Sequence, residues 1–269
     1  TNVYIHDTSK VARVRTAFEN IQTPFEDIEP DRFDGAPDAL NYESSFVERQ
    51  LITSQLVGEF DFGALKVDLR GSYSRSDRDS PYERTTQYRF VGSTGGYGIR
   101  LGAPTGVNFS ELGEDVWAGG IDLAYELTGD LIGTVSAGYA YSDTSRSFDS
   151  LNFVYDDGGS PITGTGQSYL PPYLLLSDEI IDLEQITLRQ SNRAFGQARY
   201  QGDLTVHGAY LRGDFELAQG VRLEGGVRYE DGKQSVTLVD LFDQGGLTQV
   251  DPIEESYWLP AATLTWSLR

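Results

Sequence analysis

Apolar and polar positions alternate along several stretches of this chain. From Leu65 the residues Leu65, Val67, Leu69, Gly71 and Tyr73 fall on one parity, with Lys66, Asp68, Arg70, Ser72 and Ser74 on the other. The same rhythm returns at Val221, Leu223, Gly225, Val227 and Tyr229 against Arg222, Glu224, Gly226, Arg228 and Glu230. It returns more softly from Leu131 through Val135, Ala137, Tyr139 and Tyr141. A period of two puts one parity on each face of a strand, whereas a helix would scatter these residues around its circumference.

Each of these runs follows another alternating run across a short break: Gly63-Ala64, Thr128-Gly129-Asp130 and Ala218-Gln219-Gly220. The breaks predict three tight hairpins. An aromatic before each turn (Phe60, Tyr125, Phe215) makes them a loose internal repeat. The intervals, roughly 65 and 90 residues, are too uneven for a propeller or solenoid. Strands are expected at about 3–18, 46–62, 65–77, 115–127, 131–143, 193–217, 221–239 and 257–268. Long polar loops are expected at about 77–115 and 143–190, the first containing Ser80-Pro81 and Gly92 to Gly98, the second Asp156-Asp157-Gly158 and Pro171-Pro172. Minimal turns alternating with long loops match the periplasmic turns and extracellular loops of an outer-membrane barrel. A strand of about thirteen residues, tilted near 45°, spans about 30 Å, enough for a bilayer core.

The expected fold is therefore all-β, a transmembrane antiparallel β-barrel with short periplasmic turns and long extracellular loops. Composition agrees: 39% hydrophobic residues with 12% aromatic and a net charge of -20 suit neither a disordered tail nor a nucleic-acid binder. The absence of cysteine excludes disulfides and thiolate chemistry. No run nears the roughly 18 apolar residues of a spanning helix, a test that barrel strands never meet. Lacking an initial Met and a basic-apolar leader, the sequence is expected to be processed or excerpted.

Three runs carry a family resemblance: Ala209-Tyr210-Leu211-Arg212-Gly213-Asp214-Phe215, then Val221 to Tyr229 ending in Gly226-Val227-Arg228-Tyr229, then Tyr257-Trp258-Leu259-Pro260-Ala261-Ala262-Thr263-Leu264-Thr265-Trp266. Together they resemble the downstream barrel of TonB-dependent outer-membrane receptors, especially the type common in alphaproteobacteria. The resemblance is firm over about 60 residues and rests elsewhere on hairpin rhythm. It implies that residues 1–269 are part of a barrel of about 22 strands, with the plug domain and the C-terminal strands outside this chain. The implied location is the outer membrane of a Gram-negative cell. The implied partners are outer-membrane lipid and lipopolysaccharide, the TonB complex acting through the missing plug, and a scarce solute: a ferric siderophore, a cobalamin-like compound or a carbohydrate. A small closed barrel of about eight strands is the minor alternative.

Candidate residues fall into three sets. Lys66, Asp68, Arg70, Arg212, Asp214, Glu216, Arg222, Glu224 and Arg228 are expected to face the lumen, either contacting plug and solute or pairing with one another along the wall. Tyr73, Tyr139, Tyr141, Tyr229, Tyr257, Trp258 and Trp266 are expected in aromatic girdles at the headgroup level, the competing reading being packing within a soluble sandwich. Tyr82, Tyr88, Tyr97, Tyr155, Tyr169 and Tyr173 are expected in ligand-binding loops, or else in local packing.

Catalysis, a metal and a cofactor are not expected. His6 and His207 have no second histidine at ligand spacing. Asp156-Asp157-Gly158 and Asp240 with Asp243 lack the spacing of an EF-hand loop, and Gly164-Thr165-Gly166 is too short for a dinucleotide fingerprint. Two other functions fit the pattern: a passive porin or structural outer-membrane barrel, and a soluble acidic glycan-binding β-sandwich.

Overall fold

The computed structural model describes residues 1–17, 39–91, 95–102, 104–129, 131–158, 162, 165–191, 198–239 and 247–267. Eight long strands form one antiparallel sheet in chain order: β1 (Asn2–Ala17), β2 (Ala39–Phe62), β3 (Leu65–Val91), β5 (Gly106–Leu127), β6 (Ile132–Asp156), β8 (Arg199–Ala218), β9 (Val221–Val239) and β10 (Leu247–Trp266). Two short strands complete it, β4 (Gly96–Arg100) against β3 and β7 (Thr187–Gln190) against β6.

All three expected hairpins form. Phe62 pairs with Leu65 across Gly63, whose φ of +78° a side chain would resist. Ala218 pairs with Val221 across Gln219 and Gly220, the glycine again at φ +78°. Leu127 pairs with Gly133 across the third turn, in which Asp130 lies outside the described residues. These turns share one end of the sheet, and the longer connections all leave from the other end.

The expected loop at 77–115 is mostly strand, because β3 continues to Val91 and β5 begins at Gly106. The misreading has a local cause. The register of β3 shifts between Ser80 and Glu83 against β5, and opposite Phe46/Glu48 of β2, so an extra β3 residue is accommodated at Pro81. A proline lacks the ladder N–H and is tolerated at a bulge, and the added residue inverts the parity of everything beyond it. Alternation stops while the strand goes on. Pro252 sits in an equivalent register shift of β10, between Val250 and Ile253.

The expected loop at 143–190 likewise begins late, since β6 runs to Asp156. Beyond it the chain forms a 3-10 turn (Gly166–Tyr169), α1 (Pro172–Leu175), α2 (Asp178–Leu183) and β7. These cover a small core of Tyr88, Ile99, Tyr155, Ile162, Leu175 and Ile186 at the loop end of the sheet. The strand expected from 193 begins at Arg199, with 192–197 outside the described residues.

Over the turn-side half no second layer covers the sheet among the described residues. The accessible surface is 17773 Å², where a compact soluble monomer of this mass exposes about 11,600 Å². Large apolar side chains stand in that surplus, Leu56 at 79%, Trp258 at 69% and Leu264 at 65% exposure.

Candidate functional site

The two faces of the turn-side half carry different chemistry. On one face the cross-strand register joins Phe60, Val67, Leu123, Ala137, Leu211, Val227 and Pro260 into a single row. The flanking rows add Leu69, Ile121, Val135, Leu223 and Leu264, so the apolar surface is continuous from β2 to β10.

Aromatic residues bound this surface on both sides. Toward the loops stand Tyr73 with Trp117 (ring centroids 4.4 Å apart), Tyr139 and Tyr141 beside His207 (6.2 and 5.0 Å), and Tyr229 with Trp258 (4.8 Å). Toward the turns stand Phe60, Phe62, Tyr125, Phe215 and Trp266. The separation repeats: Trp117 to Tyr125 on β5, His207 to Phe215 on β8 and Trp258 to Trp266 on β10 are each eight residues. Eight residues rise about 27 Å along a strand, or about 20 Å normal to a layer when the strand tilts by about 40°.

Both borders run obliquely to the register. Tyr73 and Trp117 pair directly, but Trp258 shares its row with Leu69, four residues nearer the turns on β3. A drop of about 13 Å over five strand steps of about 4.8 Å is a slope near 30°. The lower border falls the same way: Tyr125 shares a row with Ala262, and Trp266 lies four residues beyond. If both borders are level, the strands tilt, by an amount close to the roughly 35–45° of membrane barrels.

The tyrosine hydroxyls along the loop-side border point away from the apolar band. Tyr73 Oη donates to Asp115 (2.5 Å) and Tyr141 Oη to Asp143 (3.3 Å), each acid lying loopward of the band. Ring toward the apolar surface and hydroxyl toward water is the orientation of an interfacial aromatic.

Six of the seven expected girdle residues lie on this face; Tyr257 does not. It pairs with Glu230, whereas its neighbour Trp258 pairs with Tyr229, so Tyr257 belongs to the polar face. Adjacent strand residues cannot share a face. Trp117, absent from the expected set, carries the strongest ring contact of the border; the cross-strand position that reveals it depends on a register that local alternation does not give.

All nine expected lumen residues occupy the opposite face, most of them in ion pairs across strands. Lys66 Nζ is 2.6 Å from Glu126, Arg212 is 2.9 Å from Glu224, and Arg222 Nε donates to Asp214 at 2.6 Å. Arg70 donates to Asp122, whose other oxygen accepts from Tyr210 Oη at 2.7 Å. Arg228 Nε donates to Glu230 at 2.6 Å. Asp68 and Glu216 stand on the same face. Water reaches and screens these pairs, so they set the polarity of the face more than its stability. Glycines let long side chains lie flat: a Cβ on Gly138 would stand 2.4 Å from both Asp122 Oδ1 and Tyr210 Cε1.

The expected loop tyrosines divide. Tyr82 and Tyr88 belong to β3, Tyr97 to β4 and Tyr155 to β6, so none of these four is in a loop. Tyr88 and Tyr155 are buried in the small core, which pushes both phenols upward in pKa and removes them from contact with any solute. Tyr88 Oη donates to the Leu170 carbonyl at 2.5 Å, tying the loop segment down. Tyr97 packs edge-on against Phe90 at 5.5 Å, and Tyr82 lies under the Arg84 guanidinium at 5.0 Å. Tyr169 lies in the 3-10 turn and Tyr173 in α1, both in the connection between β6 and β8, Tyr173 at 74% exposure.

The acidic turn at Asp156 is satisfied internally. Its carboxylate accepts from the Gly158 N–H at 2.9 Å and from Arg189 at 3.1 Å, and these two donors hold its pKa below the ordinary value. Asp240 and Asp243 lie outside the described residues, as does Gly164. Among the described residues no group of three or more His, Asp or Glu is placed to hold a metal ion.

The fold and its surfaces define an all-β protein with a single antiparallel sheet, consistent with a β-barrel fragment, whose one face is apolar and whose other face is ionic. No family model matches the chain, and no curated protein matches its sequence.

Proposed function

We propose that this sheet is part of the wall of an outer-membrane β-barrel, and that the barrel belongs to a TonB-dependent receptor taking up a scarce solute. The observation that carries the membrane reading is the apolar band whose aromatic borders lie eight residues apart on β5, β8 and β10. A soluble domain has no reason to keep exposed apolar height constant from strand to strand, whereas a bilayer of fixed thickness imposes it. The ion-paired face then lines the aqueous interior.

The receptor reading rests on the sequence resemblance of the β8, β9 and β10 runs, and the sheet supports it by making those three strands consecutive neighbours. In this reading the chain supplies wall and loop-end structure, and energy coupling comes from a plug outside it.

Fractionation followed by uptake tests both steps. The full-length gene product should stay in the outer-membrane pellet after an alkaline carbonate wash and partition into detergent. Cells should lose uptake of the solute when TonB is removed. Release of the protein by carbonate would overturn the membrane reading; uptake that persists without TonB, together with steady open-pore conductance, would leave a passive porin in place of the receptor.

A further inference from the structure

We infer that the ionic face carries a binding site for a hydroxylated oxyanion, such as a sugar acid, held between Arg70 and Arg228. A hollow of about 240 Å³ opens there across β2, β3, β5, β6, β8 and β9. The polar side chains lining it are Arg70, Arg228, Gln55, Ser72 and Ser142, with Ala140 at its floor. No carboxylate lines it, in a chain whose net charge is -20. Three other hollows on the sheet each bring a carboxylate in beside their arginine: Glu224 with Arg212, Asp214 and Glu216 with Arg222, and Asp149 with Arg199.

Register and glycines fix the arginines' separation. Gly120 pairs with Ala140, and Ala140 with Gly208. The Arg70 guanidinium lies 2.9 Å from where a Cβ on Gly120 would stand, and Arg228 Nη2 lies 2.7 Å from the same point on Gly208. Two strand steps separate these glycines by about 10 Å. One carboxylate or phosphate bridging two guanidiniums spans about 8 Å between their centres, so a single anionic group above the Ala140 methyl is bound when the two side chains close the remaining distance of about 2 Å.

Each arginine is also held by an acid that does not line the hollow, Asp122 for Arg70 and Glu230 for Arg228. A guanidinium has five N–H donors, and these contacts engage one on each. The tethers fix the donors in place before a ligand arrives, which lowers the cost of ordering them on binding. Gln55, Ser72 and Ser142 then offer both donors and acceptors to hydroxyl groups flanking the anion, so neither a bare anion nor a neutral sugar uses the whole site.

The inference deepens the reading of this face as the lining of a solute path, and calorimetric titration of the full chain in detergent tests it apart from that reading. The probes are gluconate, inorganic phosphate and glucose. Gluconate should bind at least about tenfold more tightly than either of the others. Ala140→Leu fills the floor without touching an ion pair, and Arg228→Gln removes one clamp; each should weaken gluconate at least about tenfold while the far-ultraviolet β-sheet spectrum is unchanged. Gluconate binding no tighter than phosphate or glucose, or unaltered by Ala140→Leu, would overturn the site. A protein that binds gluconate in this way yet is released by carbonate would keep the site and lose the membrane reading.

Discussion

Tyr73 and Trp117 face each other on adjacent strands with ring centroids 4.4 Å apart, and the Tyr73 hydroxyl reaches past its partner to Asp115 at 2.5 Å. This pair marks where the apolar face ends. Turnward of it, on β3, β5 and β6, every residue of that face is apolar, aromatic or small; Asp143 pairs with Trp117 in the same row, and Arg75 and Asp115 lie loopward. The boundary is set by backbone register, which brings residues distant in sequence to a common height.

The band predicts depth-dependent costs. Leu69 is midway between Leu65 and Tyr73 on β3 and faces the apolar side. Leu69→Arg should destabilise the protein folded into a bilayer by about 2–4 kcal/mol, measured by urea unfolding from lipid vesicles. Ser72→Arg, on the ionic face, should cost less than about 1 kcal/mol. Equal costs at the two positions would contradict the assignment of faces.

Close backbone approach predicts a contrast between two glycines on the apolar parity. A Cβ on Gly133 would meet the Asp214 carbonyl oxygen at 2.3 Å, a backbone atom that cannot rotate away. On Gly71 it meets nothing within 4 Å. Gly133→Ala should therefore cost about 1–3 kcal/mol and Gly71→Ala should be neutral or stabilising by up to about 1 kcal/mol. Urea midpoints of the two variants check this.

The loop-end core predicts a local effect. Tyr88→Phe keeps the ring among Ile99, Tyr155 and Leu175 but orphans the Leu170 carbonyl, a loss of about 1 kcal/mol. Tyr88→Ala removes the ring as well and should cost about 3–5 kcal/mol. Limited proteolysis of the segment between β6 and β8 should quicken slightly in the first variant and strongly in the second, with the turn-side half of the sheet still protected.

Asp156 predicts a pH dependence at the same end. Gly158 and Arg189 depress its folded-state pKa, so its contribution is complete above the ordinary carboxylate pKa and is lost as pH falls through the depressed value. The protection factors of the β7 amides, which correct for the intrinsic pH dependence of exchange, should therefore be flat through neutral pH and fall once the solution is more acidic than that range. Asp156→Asn should remove the acid limb of the profile and leave the neutral plateau lower than wild type.

Much of the turn-side half was legible in the sequence because alternation and two-residue turns are local signals. Leu65 to Tyr73 and Val221 to Tyr229 announce their faces without knowledge of any partner. The loop-side half was not, because Pro81 and Pro252 break alternation at bulges where pairing continues. Tyr88 reads as a loop residue for the same reason; it and Tyr155 become core only through contacts with Ile162 and Leu175 from a distant segment. Tyr257 is expected in the girdle as an amphipathic ring, but the strand's period of two puts it on the face opposite its neighbour Trp258. The Arg70–Arg228 hollow leaves no sequence signal, since Gly120, Ala140 and Gly208 come together only across strands.

The three tryptophans test the central claim directly. Trp117 and Trp258 lie on the loop-side border and Trp266 on the turn-side border. In single-tryptophan variants folded into vesicles, lipids brominated near the headgroup should quench all three more than lipids brominated near the chain end. A tryptophan placed at Leu69 should show the reverse order. Absence of lipid quenching at Trp258 and at Leu69→Trp would mean that the apolar face meets protein and not hydrocarbon, and the membrane account would fall.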